Sequence, residues 1–286
     1  MKAYLFPGQG SQFVGMGKDL YKNSHLAKKL FQLSDEILDF RITSVMFEGS
    51  MDILKNTKYT QLSIYIYSVI KAKISNNFEP DMVAGHSLGE LSALAAIKVF
   101  SFEDGLRLVN QRATIMQKIC ESTYGGMAVI FGLEDSIIEE VCKKDHGIIV
   151  PSNYNSDEQL VISGEIQALR RVCFLLQKIG AKKIFFIPVQ GAFHSPIMAP
   201  AQKEFKKIVN KIFFKNPKCP IYQNVTALPI IKSDDIKKNI VKQLTYPVKW
   251  KQSIKNMMNH RDISFTEIGP GNILQGLIKK ISKNSV

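Results

Sequence analysis

Hydrophobic positions recur along this chain with two alternating periods, and the period predicts the element. Short, nearly continuous apolar runs suit strands buried on both faces. They stand at residues 2–6, 81–84 and 220–224, and again at the start of 265–271. Longer stretches with apolar residues three and four apart predict helices. These cover 24–40, 60–75, 88–99, 102–122, 198–213, 234–244 and 272–281, with another helix opening at Pro247. In the helix over 24–40 the apolar stripe is Leu26, Leu30, Leu33 and Ile37. The helix over 60–75 is apolar on most sides, which predicts burial, with Tyr65 and Tyr67 as packing residues. Gly15 and Gly17 weaken any helix over 13–20.

The helix over 102–122 carries an anomaly. Leu108, Ile115 and Ile119 form its stripe, and Arg112 falls on the same face. A guanidinium at such a position is costly unless it meets an anion. Three accounts stand open: an ion pair with an internal carboxylate, a side chain snorkelling at the rim, or a clamp for a substrate carboxylate.

Residues 126–188 change character. Strands over 126–132, 148–154, 159–163 and 182–188 and helices over 134–144 and 166–179 follow in the order β-α-β-β-α-β. That order is the ferredoxin-like unit. The expectation is a small ferredoxin-like subdomain, 124–189, inserted into a larger domain made of 1–123 and 190–286. Strands alternating with helices on both sides of the insertion predict the α/β class.

Composition narrows the function classes. A chain of 286 residues buries a good core as one large domain, or as a main domain with a smaller one. No apolar run is long enough to span a bilayer. Lys2 leads straight into Ala3-Tyr4-Leu5-Phe6-Pro7-Gly8, too short an apolar stretch for a secretory signal. The four cysteines, Cys120, Cys142, Cys173 and Cys219, are scattered without a C-x-x-C pair. They read as free thiols in a reducing, cytoplasmic setting, with no metal site. The net charge is +13, but the lysines spread through helices, as at Lys203, Lys206, Lys207, Lys211 and Lys215. No nucleic-acid motif accompanies them. A lysine-rich solvated surface is the first reading, an anionic partner the second and nucleic acid the third.

The chemistry centres on Gly85-His86-Ser87-Leu88-Gly89, a G-x-S-x-G pattern between a predicted strand and a predicted helix. Small residues two positions either side of a serine permit a sharp turn that exposes its hydroxyl. The helix N-terminus there favours developing negative charge. An ordinary N-cap serine is the plain alternative. Gly8-Gln9-Gly10-Ser11-Gln12 follows the first strand as a glycine-rich loop whose N–H groups can approach an anion. It matches neither a Walker A motif nor G-x-G-x-x-G. His194 lies in the loop Gly191-Ala192-Phe193-His194-Ser195-Pro196 and is the candidate base for Ser87. His86 is not, because adjacent side chains diverge on a sharp turn. His25, His146 and His260 stand in surface-like contexts.

Together, the glycine-rich loop, the Ser87 turn, Arg112, Ala192-Phe193-His194-Ser195 and Glu267-Ile268-Gly269-Pro270-Gly271 resemble malonyl-CoA:acyl carrier protein transacylases over essentially the whole chain. The resemblance implies an α/β-hydrolase-like core with a mainly parallel sheet. It implies Ser87 as nucleophile and His194 as base, with His194 oriented by the backbone carbonyl of Gln243. Gln9 and Leu88 would form the oxyanion hole, Arg112 would bind the malonyl carboxylate, and Asn153 and Asn155 would face the cleft. Phe193 matches the malonyl-selective form of its motif. Lys249 replaces a frequent arginine, and Gln190 stands where a small residue is expected. No cofactor is implied; the substrates are malonyl-CoA and holo-acyl carrier protein, and the enzyme is expected to be monomeric. The alternatives are a serine thioesterase or hydrolase with an acid behind its histidine, a polyketide-pathway acyltransferase, and a non-catalytic scaffold.

Overall fold

The computed structural model describes residues 1–189 and 191–283. It is an α/β fold with one mixed, mainly parallel sheet and a separate antiparallel sheet. In chain order the strands are β1 (Lys2–Phe6), β2 (Met82–Gly85), β3 (Gly125–Phe131), β4 (Ile149–Ser156), β5 (Gln159–Glu165), β6 (Lys183–Phe186), β7 (Ile221–Tyr222), β8 (Pro229–Ile230) and β9 (Ser264–Glu267).

The main sheet has the order β8-β7-β2-β1-β9, parallel except for the β7–β8 pair. Its centre is β1, where Leu5 pairs with Ala84 of β2 on one side and Glu267 of β9 on the other. The strand period of two sends alternate residues to opposite faces. Tyr4, Phe6 and Val83 join a core shared with the buried helix Thr57–Ile74. Ala3, Leu5, Met82 and Ala84 meet Trp250, Ile254 and Leu277 on the other face. Helices cover both faces, which is why β1 reads as a continuous apolar run.

The second sheet has the order β4-β5-β3-β6, antiparallel throughout. Ala128 and Ile130 point to the helices Asp135–Lys144 and Ile166–Ile179, beside Ile138, Leu169 and Val172. Met127 and Val161 point the other way, into the main core. Val248 ties the sheets together: its N–H donates to Ser152 O at 2.8 Å, and its carbonyl accepts the Tyr154 N–H at 2.9 Å. Lys251 pairs with Asp135 at 2.5 Å, and Lys255 with Asp157 at 2.9 Å, across the same junction.

The structure corrects some local expectations. The helix His25–Leu38 forms, capped by Ser24, whose side chain accepts the Ala27 N–H at 3.2 Å. Its buried stripe is Ala27, Phe31, Ser34 and Leu38, one residue round from the expected one, and Leu26 is 47% exposed. Phe31 decides the rotation, because it packs between Tyr21 and Phe47, with ring centroids 5.9 and 5.4 Å away. Leu30, Leu33 and Ile37 stay partly buried at the flank. Of the weakened stretch 13–20 only the end is helical, as the start of Lys18–Asn23, and the short helices Ile42–Glu48 and Met51–Leu54 and strand β8 add to the expected elements. The helix after Ser87 stops at Ala96, short of Val99, where Lys98 turns left-handed. The four cysteines are free and buried. Among the described residues no helix is long and apolar enough to cross a membrane.

Candidate active site

Ser87 sits between the end of β2 and the helix Gly89–Ala96 with φ +52°. A left-handed conformation costs a serine about 1–2 kcal/mol. The flanking glycines make the turn possible. A Cβ at Gly85 would come within 2.0 Å of the Gly89 carbonyl carbon, and one at Gly89 within 2.0 Å of Phe6 O. Hydrogen bonds hold the turn from both ends. The Ser87 N–H donates to Asn224 Oδ1 at 2.8 Å, and Ser87 O accepts from Gln243 Nε2 at 3.0 Å.

Ser87 Oγ lies 2.8 Å from His194 Nε2, and His194 Nδ1 lies 2.7 Å from Gln243 O. A carbonyl oxygen only accepts, so Nδ1 carries the proton and Nε2 is left to accept from the Ser87 hydroxyl. His194 is also left-handed, at φ +57°, and 3% exposed. Burial first, and the Arg112 charge second, push its pKa down to about 3, against the pull of the Gln243 hydrogen bond. The ring is therefore neutral and able to take a proton.

Arg112 is 1% exposed, which removes the rim account. Its guanidinium donates to Gln61 Oε1 at 2.6 Å, Gln243 Oε1 at 3.1 Å and Ser87 Oγ at 3.3 Å. These partners are neutral, so the charge meets amides and a hydroxyl beside the serine, not a directly bonded carboxylate. Burial lowers the guanidinium to about 10, opposed by the nearby Glu90. It remains cationic at neutral pH.

A cavity of about 410 Å³ opens over these groups. Gln9, Leu88, Phe193, Asn153 and Asn155 line it together with Ser87. A Cβ at Gly8 would lie 2.4 Å from His86 O, so the glycine-rich loop packs directly on the serine turn. His86 turns away from Ser87, as expected: its Nε2 lies 2.9 Å from Asn155 Oδ1, and its ring tilts over Trp250. His25, His146 and His260 are exposed. Gln190 lies outside the described residues. Among the described residues no group of three or more His, Cys, Asp and Glu is placed to hold a metal ion.

Of the residues expected from the sequence, Ser87, His194, Arg112, Gln9, Leu88, Phe193, Asn153 and Asn155 line one cavity, and Gln243 meets His194 from outside the lining. The sequence assigned no place to Gln61, which lines the cavity, or to Glu90, Asn224 and the side chain of Gln243, which form the hydrogen-bond network beside it. Glu90 is fully buried, and burial raises it to about 8 against the Asn224 N–H, the Gln243 amide and Arg112. A carboxyl on a helix otherwise of glycine, leucine, serine and alanine is the same kind of signal that singled out Arg112. Asn224, in a loop after a two-residue strand, offers no such signal.

Known proteins match this arrangement along nearly its full length. The acyl transferase domain family matches residues 3–285. The malonyl CoA-acyl carrier protein transacylase of Bacillus subtilis (strain 168) is 36% identical over 286 aligned positions, covering 98% of this chain and 90% of that protein. The protein of the same name from Staphylococcus aureus (strain MRSA252) is 37% identical, covering 99% and 92%. The solved transacylase of Coxiella burnetii superposes with a TM-score of 0.94 at 33% identity, covering 99% of this chain and 91% of that one. A malonyl-transacylase solved in complex with a type II PKS acyl-carrier protein superposes equally well, at 0.94 and 32% identity, covering 99% and 93%. With a serine turn, a carbonyl-held histidine and a buried arginine in one cavity, the chain belongs to the acyl transferase family and is a relative of the malonyl CoA-acyl carrier protein transacylases.

Proposed function

We propose that the protein moves the malonyl group of malonyl-CoA to the phosphopantetheine thiol of an acyl carrier protein, in two half-reactions through malonyl-Ser87. The observation that carries this is Arg112, buried and cationic, 3.3 Å from Ser87 Oγ with only neutral hydrogen-bond partners. A carboxylate two carbons from the reacting carbonyl supplies the anion this position calls for.

In the first half-reaction Ser87 Oγ attacks the thioester carbonyl carbon and its proton passes to His194 Nε2. The main-chain N–H groups of Gln9 and Leu88 meet the developing oxyanion. The C–S bond then breaks, and the His194 proton leaves with the CoA sulfur. In the second, the carrier thiol gives its proton to His194 and attacks the acyl-serine carbonyl; the C–O bond to Ser87 then breaks, and His194 returns the proton to Ser87 Oγ. The malonyl carboxylate, paired with Arg112, offsets the charge that depresses His194, so the base strengthens when its substrate is in place. Phe193 narrows the cavity around the malonyl α-carbon, and Asn153 and Asn155 form the opposite wall. No cofactor enters either step.

The carbonyl behind His194 favours this reading over a hydrolase with an acid in that place. The β-α-β-β-α-β order and the sheet order β4-β5-β3-β6 support a ferredoxin-like subdomain at 124–189. Helices on both faces of the mainly parallel sheet support an α/β-hydrolase-like domain made of 1–123 and 190–286. We read the enzyme as a monomer whose exposed Lys182 and Lys183 and half-buried Lys249 steer an acidic carrier.

Intact-protein mass spectrometry after brief mixing with malonyl-CoA tests the reaction. The expected result is a single malonyl adduct, absent in Ser87→Ala and discharged by holo-acyl carrier protein. Rapid CoA release without an adduct would indicate a thioesterase.

A further inference from the structure

Glu90 takes no part in the chemistry above, yet it is fully buried on the helix Gly89–Ala96. A carboxyl there is costly unless its oxygens are met. Both are: Oε1 accepts the peptide N–H of Asn224, and Oε2 accepts Gln243 Nε2 at 2.7 Å.

These two partners hold the reacting residues. Asn224 Oδ1 accepts the Ser87 N–H at 2.8 Å, while its Nδ2 donates to Gly85 O at 2.7 Å. Gln243 Nε2 donates to Ser87 O at 3.0 Å, and Gln243 O accepts from His194 Nδ1 at 2.7 Å. The left-handed Ser87 peptide is therefore gripped at its N–H and at its C=O by two residues that meet on one carboxyl group. The Gln243 amide cannot flip. Its oxygen faces the donor-only guanidinium of Arg112 at 3.1 Å, and its nitrogen faces an acceptor.

We propose that Glu90 is a positioning residue for acyl transfer, acting through Gln243 and Asn224 to set the Ser87 turn and the His194 ring in register. An acid suits this place because both of its oxygens keep a lone pair that can accept, even when one of them also bears the proton. A glutamine has one oxygen and would turn N–H groups toward one of the two donors. The proposal rests on the roles given above to Ser87 and His194.

Glu90→Gln in the full chain tests it. The expected kcat for malonyl transfer falls about ten- to a hundredfold, the scale of a misplaced reacting group. The KM for malonyl-CoA stays close to wild type, because the cavity wall is untouched. The downfield proton resonance of His194 Nδ1–H moves upfield as its bond to Gln243 O loosens. Wild-type kcat with an unmoved resonance overturns the proposal. So does a lower melting temperature with wild-type kcat per folded molecule, which makes Glu90 a packing residue only. If Glu90→Gln is insoluble, Glu90→Asp reads the same quantities: its shorter reach cannot serve both donors, and full kcat there overturns the proposal equally. Ser87→Ala and His194→Ala separate the two levels. Activity in either would remove the roles of Ser87 and His194. Their inactivity alongside a fully active Glu90→Gln would remove Glu90 alone.

Discussion

The two walls of the cleft are made of different material. The main-sheet wall presents a closely hydrogen-bonded polar group: Ser87, Arg112 and His194 line the cavity, and Asn224 and Gln243, outside the lining, bond to them from separate segments. The small-sheet wall is mixed, with Met127, Val129 and Val161 as its apolar surface and Asn153, Asn155 and Gln159 as its polar points. In the proposed reaction one wall holds the atoms that move protons and form bonds, and these need fixed geometry. The other would shape space, which needs only packing. The difference teaches that preorganisation is concentrated on one body, while the second sheet sets room and access.

The sharpest break in that comparison is on the polar wall. Ser87→Ala or His194→Ala should cost at least about 10³ in transfer rate, as for the paired nucleophile and base of other acyl-transfer sites. Steady-state transfer to a carrier protein measures it, and retention of even a tenth of wild-type activity would remove the residue from the chemistry.

Arg112→Ala should be smaller and more selective. A charge-assisted contact is worth about 1.5–3 kcal/mol, so the preference for malonyl-CoA over acetyl-CoA should fall roughly tenfold to a hundredfold. The ratio of kcat/KM values reads this directly. An unchanged ratio would place the carboxylate elsewhere.

Acidity gives a third handle. His194, pushed from 6.5 down to about 3, stays neutral, so acylation should not weaken as pH falls through 6.5. An acid limb near 6.5 would contradict this, and Arg112→Ala, lacking one cause of the shift, should move the limb upward. Stability follows the same groups with opposite signs. The unfolded chain protonates His194 first, so native stability is lost as pH falls from 6.5 toward 3. The native state holds the Glu90 proton longer, from 4.5 up to about 8. Its contribution is full below 4.5 and is lost as pH rises through 8. Melting temperature against pH should lose that alkaline decline in Glu90→Gln. A decline of the same steepness in the variant would assign it to another group.

The smallest effect is expected on the small-sheet wall. Asn155→Ala removes the partner of His86 Nε2 and should raise the KM for malonyl-CoA less than about tenfold, the scale of one hydrogen bond. It should leave kcat near wild type. A large kcat loss would mean that the second sheet also positions the reacting atoms.

Much of this molecule follows from local pattern. Apolar runs located β1 and β2, and the helix Phe102–Ser122 appears with the expected bounds, because period and capping are properties of neighbouring residues. The Ser87 turn was legible for the same reason: the two glycines that make it sterically possible lie within two residues of it. Arg112 announced itself as a charge on an apolar stripe. The tertiary structure decided the rest. It rotated the stripe of His25–Leu38 by one residue through ring contacts with Tyr21 and Phe47. It also brought Glu90 to Asn224 and Gln243, 134 and 153 positions away along the chain. Hydrogen bonds over such separations leave no periodic trace, because each partner's own segment is satisfied by many residue types. Only when the sheet brings these segments together does a buried carboxyl find its donors and the serine turn its support.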